Sequence, residues 1–229
     1  MLHLVHLVRL MQLVSPTLPV GAYTYSQGLE WVAESGVVSD AAAAEAWIGD
    51  VLAHGVARYE APLVGALMRA WARGDDGEVA RLDADFIASR ETSELRAETL
   101  QMGYSTARLL RELEAFAALD AWNARLAKLA EPSFPAAWSA AACAWGVPPE
   151  QAVTGYLWSW LENQVMAAVK AVPLGQSAGQ RLLSELGGRI PALARQALAL
   201  PEHAWSNFTP GLAIASSRHE TQYTRLFRS

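Results

Sequence analysis

The chain's 229 residues are 52% apolar and only 18% charged, with 18 Lys and Arg against 23 Asp and Glu for a net charge of −5, where the usual charged share is about 25%. That composition supports a continuous core of one or two domains, favours a self-association or partner face, and carries no electrostatic footprint for nucleic acid. The single Cys143 excludes an intrachain disulfide and a zinc site built on several thiolates; no apolar run reaches the ~18 residues of a membrane span, and Met1–Val14 does not read as a signal peptide, so a cytoplasmic location is expected.

Helical spacing dominates from the start. Leu4, Leu7, Val8, Met11 and Val14 recur at three- and four-residue intervals and predict a first helix that Ser15-Pro16 stops. A loop over Thr17–Gly21 leads to a second helix near Tyr25–Glu34, with Gly36 beyond its end. Ser39 and Asp40 read as an N-cap before an Ala-rich helix, and Pro62 interrupts or restarts a pattern that continues to about Trp71. The polar run 73–77 is a surface turn. Glu78–Ala130 is helical again, with breaks near Ser89 and around Ala115–Asp120, and Glu131–Pro135 is a clear break. Further helices are predicted to about Trp145, over Pro148–Val172, Ala178–Leu186 and Pro191–Leu200, with less regular chain from Ser206 onward. Without strand patterns, repeats or a dividing linker, the expectation is an all-α, single-domain bundle of about eight to ten helices over residues 1–216, followed by a tail over 217–229.

Few side chains suggest chemistry. Gly175-Gln176-Ser177-Ala178-Gly179 matches the G-x-S-x-G elbow of serine hydrolases, with Glu185 or Glu202 and His203 or His219 as conceivable acid and base. That elbow needs a strand-to-helix turn over a parallel sheet, which the pattern lacks, so a Gly-rich turn between helices is the better reading. No G-x-x-x-x-G-K-[ST] phosphate loop occurs. His3 and His6 share a helix face, a spacing open to nickel, but two imidazoles without an acidic or thiolate neighbour make a weak site. His54 and His203 stand alone, and Cys143 in its Ala-rich segment reads as a buried structural thiol. The nine Trp read mostly as core and helix-interface fillers. The tail sets Arg218, Arg225 and Arg228 among Tyr223, Leu226 and Phe227. This composition suits either a disordered end or a peptide that docks on a partner's acidic and apolar surface.

Four segments, in order along nearly the whole chain, resemble the UreF family of urease accessory proteins. They are Ser15–Glu30 (SPTLPVGAYTYSQGLE), Glu94-Leu95-Arg96 with Gln101-Met102-Gly103, Lys170–Gln176 followed by Gly179-Gln180, and Arg218–Phe227 (RHETQYTRLF). The resemblance also accounts for the false elbow at Ser177. It implies an all-α homodimer that is not an enzyme, binds a second accessory protein, UreD (or UreH), and recruits the GTPase UreG to deliver nickel to apo-urease. No cofactor would be bound by this chain itself; nickel would be handled by the assembled complex. By motif position, the resemblance assigns Tyr23 and Arg225 to the GTPase-facing surface, with Glu30 and Lys170 at or near it. His219, Glu220 and Tyr223 fall in the tail segment that orders in the complex. A regulator that activates the GTPase through Arg225 as an arginine finger is the alternative.

Overall fold

A computed structural model describes residues 2–229, and side chains from Leu4 onward except those of Ala115 and Ala117. The described residues form thirteen α-helices and no strand: α1 (Leu2–Val14), α2 (Leu29–Glu34), α3 (Ala41–Asp50), α4 (Glu60–Arg73), α5 (Asp76–Ala88), α6 (Ser93–Glu112), α7 (Glu114–Ala117), α8 (Asp120–Leu126), α9 (Phe134–Ala144), α10 (Pro149–Ala171), α11 (Gln176–Gly187), α12 (Ile190–Ala199) and α13 (Pro210–His219). Ten of them have ten residues or more, so the expected all-α class and helix number hold.

The core is built around helices that have almost no polar face. α10 touches α1, α2, α4, α11 and α12, and α9 lies between α4 and α6. In α9, Ala136, Ala137, Ala140, Ala141 and Ala142 are fully buried around Trp138, and alanine's small side chain lets the neighbouring helices approach closely. Trp71 of α4 buries its ring and donates its indole N–H to Ser139 Oγ at 3.1 Å, which answers the polar demand of an indole in a core. Cys143 lies in the same region; burial pushes its thiol up to about 12, consistent with a structural role.

Helix ends follow local chemistry where a side chain can reach a free N–H. Asp40 caps α3 through Ala43 N at 2.9 Å, Asp75 caps α5 through Glu78 N at 3.1 Å, and Thr92 caps α6 through Leu95 N at 3.2 Å. The break before α9 is fastened from two sides. Asp83 accepts from Ser133 N at 2.9 Å and Ser133 Oγ at 2.5 Å, and Thr99 Oγ1 accepts from Phe134 N at 3.2 Å.

Three expectations differ from the structure. The Ala-rich helix does not run on to Pro62: after α3 the backbone widens into a π turn over Val51–Gly55 and a 3-10 turn over Val56–Arg58, where residues 206–209 cross and Ser206 N donates to Arg58 O at 3.1 Å. Pro62 then sits in the first turn of α4, where a missing N–H costs no helical bond. The second helix begins only at Leu29, because Gln27 and Gly28 take left-handed conformations, φ 54° and 78°. Gly28 has to be glycine here: a Cβ would lie 2.7 Å from Ser216 N and 2.8 Å from the Ala215 carbonyl carbon. The chain beyond Ser206 is also more regular than expected, since α13 continues to His219 and packs on α2, and the boundary expected at 216/217 falls inside that helix.

The closest approach of all is at Gly103 in α6, where a Cβ would lie 1.9 Å from Pro132 O and 2.6 Å from the Ser133 carbonyl carbon. Gly103→Ala is therefore expected to lower stability by about 2 kcal/mol or more, since backbone rather than a flexible side chain has to move. Urea unfolding checks this; an unchanged midpoint would mean that α6 and the 132–133 segment slide apart freely.

Candidate functional site

The 219–229 segment does not hang free. It lies along a seat made by α2, α6 and the loop before α2, and four carboxylates, Glu30, Glu34, Glu94 and Glu98, bond it. The left-handed turn at Gln27-Gly28 starts α2 so that Glu30 falls in its first turn, buried. Thr92 caps α6 so that Glu94 and Glu98, four residues apart, share one face of that helix.

Glu30 accepts from Leu226 N at 2.6 Å through Oε1 and from Phe227 N at 2.9 Å through Oε2, so one carboxylate closes two backbone N–H groups. Its Oε2 also meets His219 Nε2 at 3.2 Å. The other ring nitrogen, Nδ1, meets Glu94 Oε2 at 2.8 Å, and the imidazole is 0% exposed. Both ring nitrogens of His219 are thus engaged by carboxylates, one on α2 and one on α6. Glu94 Oε1 takes Arg225 Nη1 at 2.8 Å.

The rest of the segment is held by backbone and by Glu220. Ser26 donates both N–H and Oγ–H to Ser229 O at 2.5 Å, and Arg228 N donates to Thr24 O at 2.8 Å. Glu220 Oε1 accepts from Ser93 Oγ at 2.6 Å and from Ser93 N at 2.8 Å, at the N-terminus of α6. The Ser93 hydroxyl, with the Ser93 and Glu94 amides, holds the Glu220 carboxyl below its usual range. Gln222 donates to Glu34.

Of the residues expected at a partner surface, Glu30 and His219 are therefore buried, with their polar atoms engaged inside the chain, and Glu220 acts as a helix cap. Tyr23, Tyr223 and Leu226 are 55%, 103% and 73% exposed, and the Arg225 side chain is 40% exposed. Lys170 is exposed and stands 5.6 Å from the ring of Phe227, a cation–π distance, while Phe227 itself is buried. The segment thus presents an arginine, a tyrosine and a leucine outward on a backbone that is fixed from within. Sequence reasoning missed the roles of Glu94 and Glu98; the signal available was their spacing of four behind an N-cap threonine.

A cavity of about 90 Å³ opens between the 13–23 segment, α6 and α10. At its polar end Glu98 accepts from Gln27 Nε2 at 2.9 Å, and Gln27 accepts from Trp160 Nε1 at 2.8 Å. Beside it the half-buried Glu60–Arg90 pair, at 2.9 Å, takes the Tyr156 hydroxyl at 2.7 Å through Glu60. Burial pushes the Glu98 carboxyl up to about 7.

The elbow-like stretch is a loop-to-helix turn: Ser177 lies exposed in the first turn of α11. His219 is engaged with Glu30 and Glu94, and so is unavailable to act as a base for Ser177. Among the described residues no three His, Cys, Asp or Glu side chains converge as a metal site; in the Glu30–His219–Glu94 array the two ring nitrogens address different carboxylates. The side chain of His3 lies outside the described residues, so the His3–His6 pair is not placed. His54 and His203 are exposed. No helix among the described residues is long and apolar enough to cross a membrane.

Over residues 38–187 the chain matches the family model UreF. It is 70% identical over 226 residues to the urease accessory protein UreF of Azoarcus sp. (strain BH72), covering 99% of this chain and 97% of that protein. It is 62% identical to the urease accessory protein UreF of Dechloromonas aromatica (strain RCB), covering 97% of each chain, and 51% identical to that of Methylobacillus flagellatus, again covering 97% of each.

Two outcomes follow from this geometry. Glu30→Ala strands two tail amides and one side of a buried imidazole, so it is expected to destabilise the protein by about 2–4 kcal/mol. It should also speed hydrogen exchange at the Leu226 and Phe227 amides; unchanged exchange there would mean the seat does not hold the segment. Glu98, raised by burial from its ordinary 4.5 to about 7, contributes stability that is present below about pH 4.5 and lost as pH rises through about 7, on the order of 3 kcal/mol. Glu98→Gln removes that dependence, so the variant should gain on the parent protein between pH 5 and pH 8 in urea unfolding. A stability difference that does not vary with pH would show that Glu98 does not titrate in this window.

Proposed function

Because the chain belongs to the UreF family of urease accessory proteins, we propose that it works in the cytoplasm as a non-catalytic assembly protein. In this reading it forms a homodimer, binds UreD/UreH, and recruits the GTPase UreG so that nickel, as cargo of the complex, reaches apo-urease. The observation that carries the reading is the seated tail. Ordering a peptide during association opposes binding, and here the backbone of Leu226 and Phe227 is already fixed on Glu30 while Arg225, Tyr223 and Leu226 face outward and Tyr23 is exposed as well. An arginine and aromatics on a fixed backbone make the kind of anchor on which protein interfaces depend.

For the homodimer, the outer face of α1 is the element we assign. Leu4, Leu7, Val8 and Met11 form a row, each 47–67% exposed. The one charged residue of α1, Arg9, bonds Gln12 at 3.0 Å and stands over the Trp145 ring at 5.5 Å. The exposed row therefore has no charge of its own for a partner to complement, and a second copy of the same row matches it by symmetry.

The arginine-finger alternative asks Arg225 to reach into a partner's nucleotide site. Its tie to Glu94 favours a fixed docking role instead. Size-exclusion chromatography with light scattering, on the protein mixed with UreD and nucleotide-loaded UreG, tests the reading. We expect a dimer alone, a ternary complex when mixed, and at least about tenfold weaker UreG binding for Arg225→Ala and Tyr223→Ala. Binding of both variants at parent strength would overturn the docking surface. Faster GTP turnover by UreG that Arg225→Ala abolishes would instead support the finger.

A further inference from the structure

Arg225 is long and flexible, and an arginine immobilised only on contact weakens binding through lost side-chain entropy. In this structure it is already tied to Glu94, one of the carboxylates of the tail's seat. We infer that Glu94 is the positioning residue of the docking surface, setting Arg225 in the orientation a partner meets; this rests on the docking role proposed for Arg225 above. Glu94 is itself unusually well fixed. It stands at the start of α6, its side chain is 11% exposed, and its Oε2 is taken by His219 Nδ1 at 2.8 Å. His219 is fully buried and is braced in turn by Glu30 at 3.2 Å. A line of hydrogen-bonded groups therefore runs from α2 through α13 to α6 and ends at the guanidinium.

Glu94 Oε1 engages Nη1 at 2.8 Å, which leaves the Nε–Nη2 edge of the fork for a second acidic group. The partner surface that fits this edge is a carboxylate presented beside apolar side chains able to meet Leu226 and Tyr223. The competing possibility is that Glu94 is a rival for Arg225, occupying a site the partner has to win.

A double-mutant cycle on the full chain separates these, with affinity for the GTPase as the readout. Glu94→Gln keeps the shape and removes the charge. We expect it to weaken binding roughly five- to tenfold in the parent protein and to change binding by less than about twofold in an Arg225→Ala background, because residues that act through one another are not additive. Hydrogen exchange at the Leu226 and Phe227 amides, which report the Glu30 seat, should stay protected in Glu94→Gln. Binding that is unchanged or tighter in Glu94→Gln overturns the inference, the second case identifying Glu94 as a rival. An equal loss in the Arg225→Ala background, or loss of amide protection, also overturns it, by reducing Glu94 to a structural residue. If Arg225→Ala alone binds at parent strength, the docking role of Arg225 fails first and takes this inference with it.

Discussion

A carboxylate removed from water has to be given donors, and the donors that Glu30 receives come from parts of the chain almost two hundred residues away. Two are the backbone amides of Leu226 and Phe227, and His219 adds a ring nitrogen. Taking both partners out of water costs free energy on each side, so the arrangement is favourable only when complete. This makes the tail, α2 and α6 one unit. The left-handed turn at Gln27-Gly28 admits α13 against α2, α13 delivers His219, His219 braces Glu94, and Glu94 orients Arg225. A fault anywhere in that line is felt at the surface.

The interior repeats the same logic with less order. Glu60 and Arg90 pair at 2.9 Å under the Tyr156 hydroxyl, and Arg90 lies 4.2 Å over the Phe86 ring. Glu98 shares this polar pocket and has only neutral hydrogen-bond partners, Gln27 and, more distantly, Ser229 at 3.4 Å. Burial therefore pushes Glu98 toward neutrality, while the half-buried Glu60 is matched by a cation.

Most of the fold is legible in local sequence because its causes are local. The three- and four-residue spacing of Leu4, Leu7, Val8 and Met11, the cap at Asp40 and the prolines at 132 and 135 each act within a few residues of the structure they set. What escapes such reading has causes far along the chain. The late start of α2 depends on Ser216, and the π turn after α3 on the crossing at 206–209. The candidate site divides the same way. Tyr223, Arg225 and Phe227 stand out in the tail as an aromatic and cationic set, and Tyr23 enters only through the family resemblance, yet nothing in their spacing reveals that Glu30 and His219 face inward or that Glu94 belongs with Arg225. Composition alone left the tail open between disorder and docking. What the structure adds is a set of long-range hydrogen bonds, encoded by no periodicity, that seat the tail on the chain's own body.

The seat holds residues 226 and 227 by amide hydrogens, which nearly every amino acid possesses. Leu226 is gripped through its N–H while its side chain is 73% exposed. Scaffold and contact are thereby separated within a single residue. The outward group at 226 can change in size or polarity without altering the grip, with proline the exception because it has no N–H to give. The docking surface proposed above, built this way, could be re-specified by single substitutions that leave the underlying fold intact. Change at Glu30 has no such freedom.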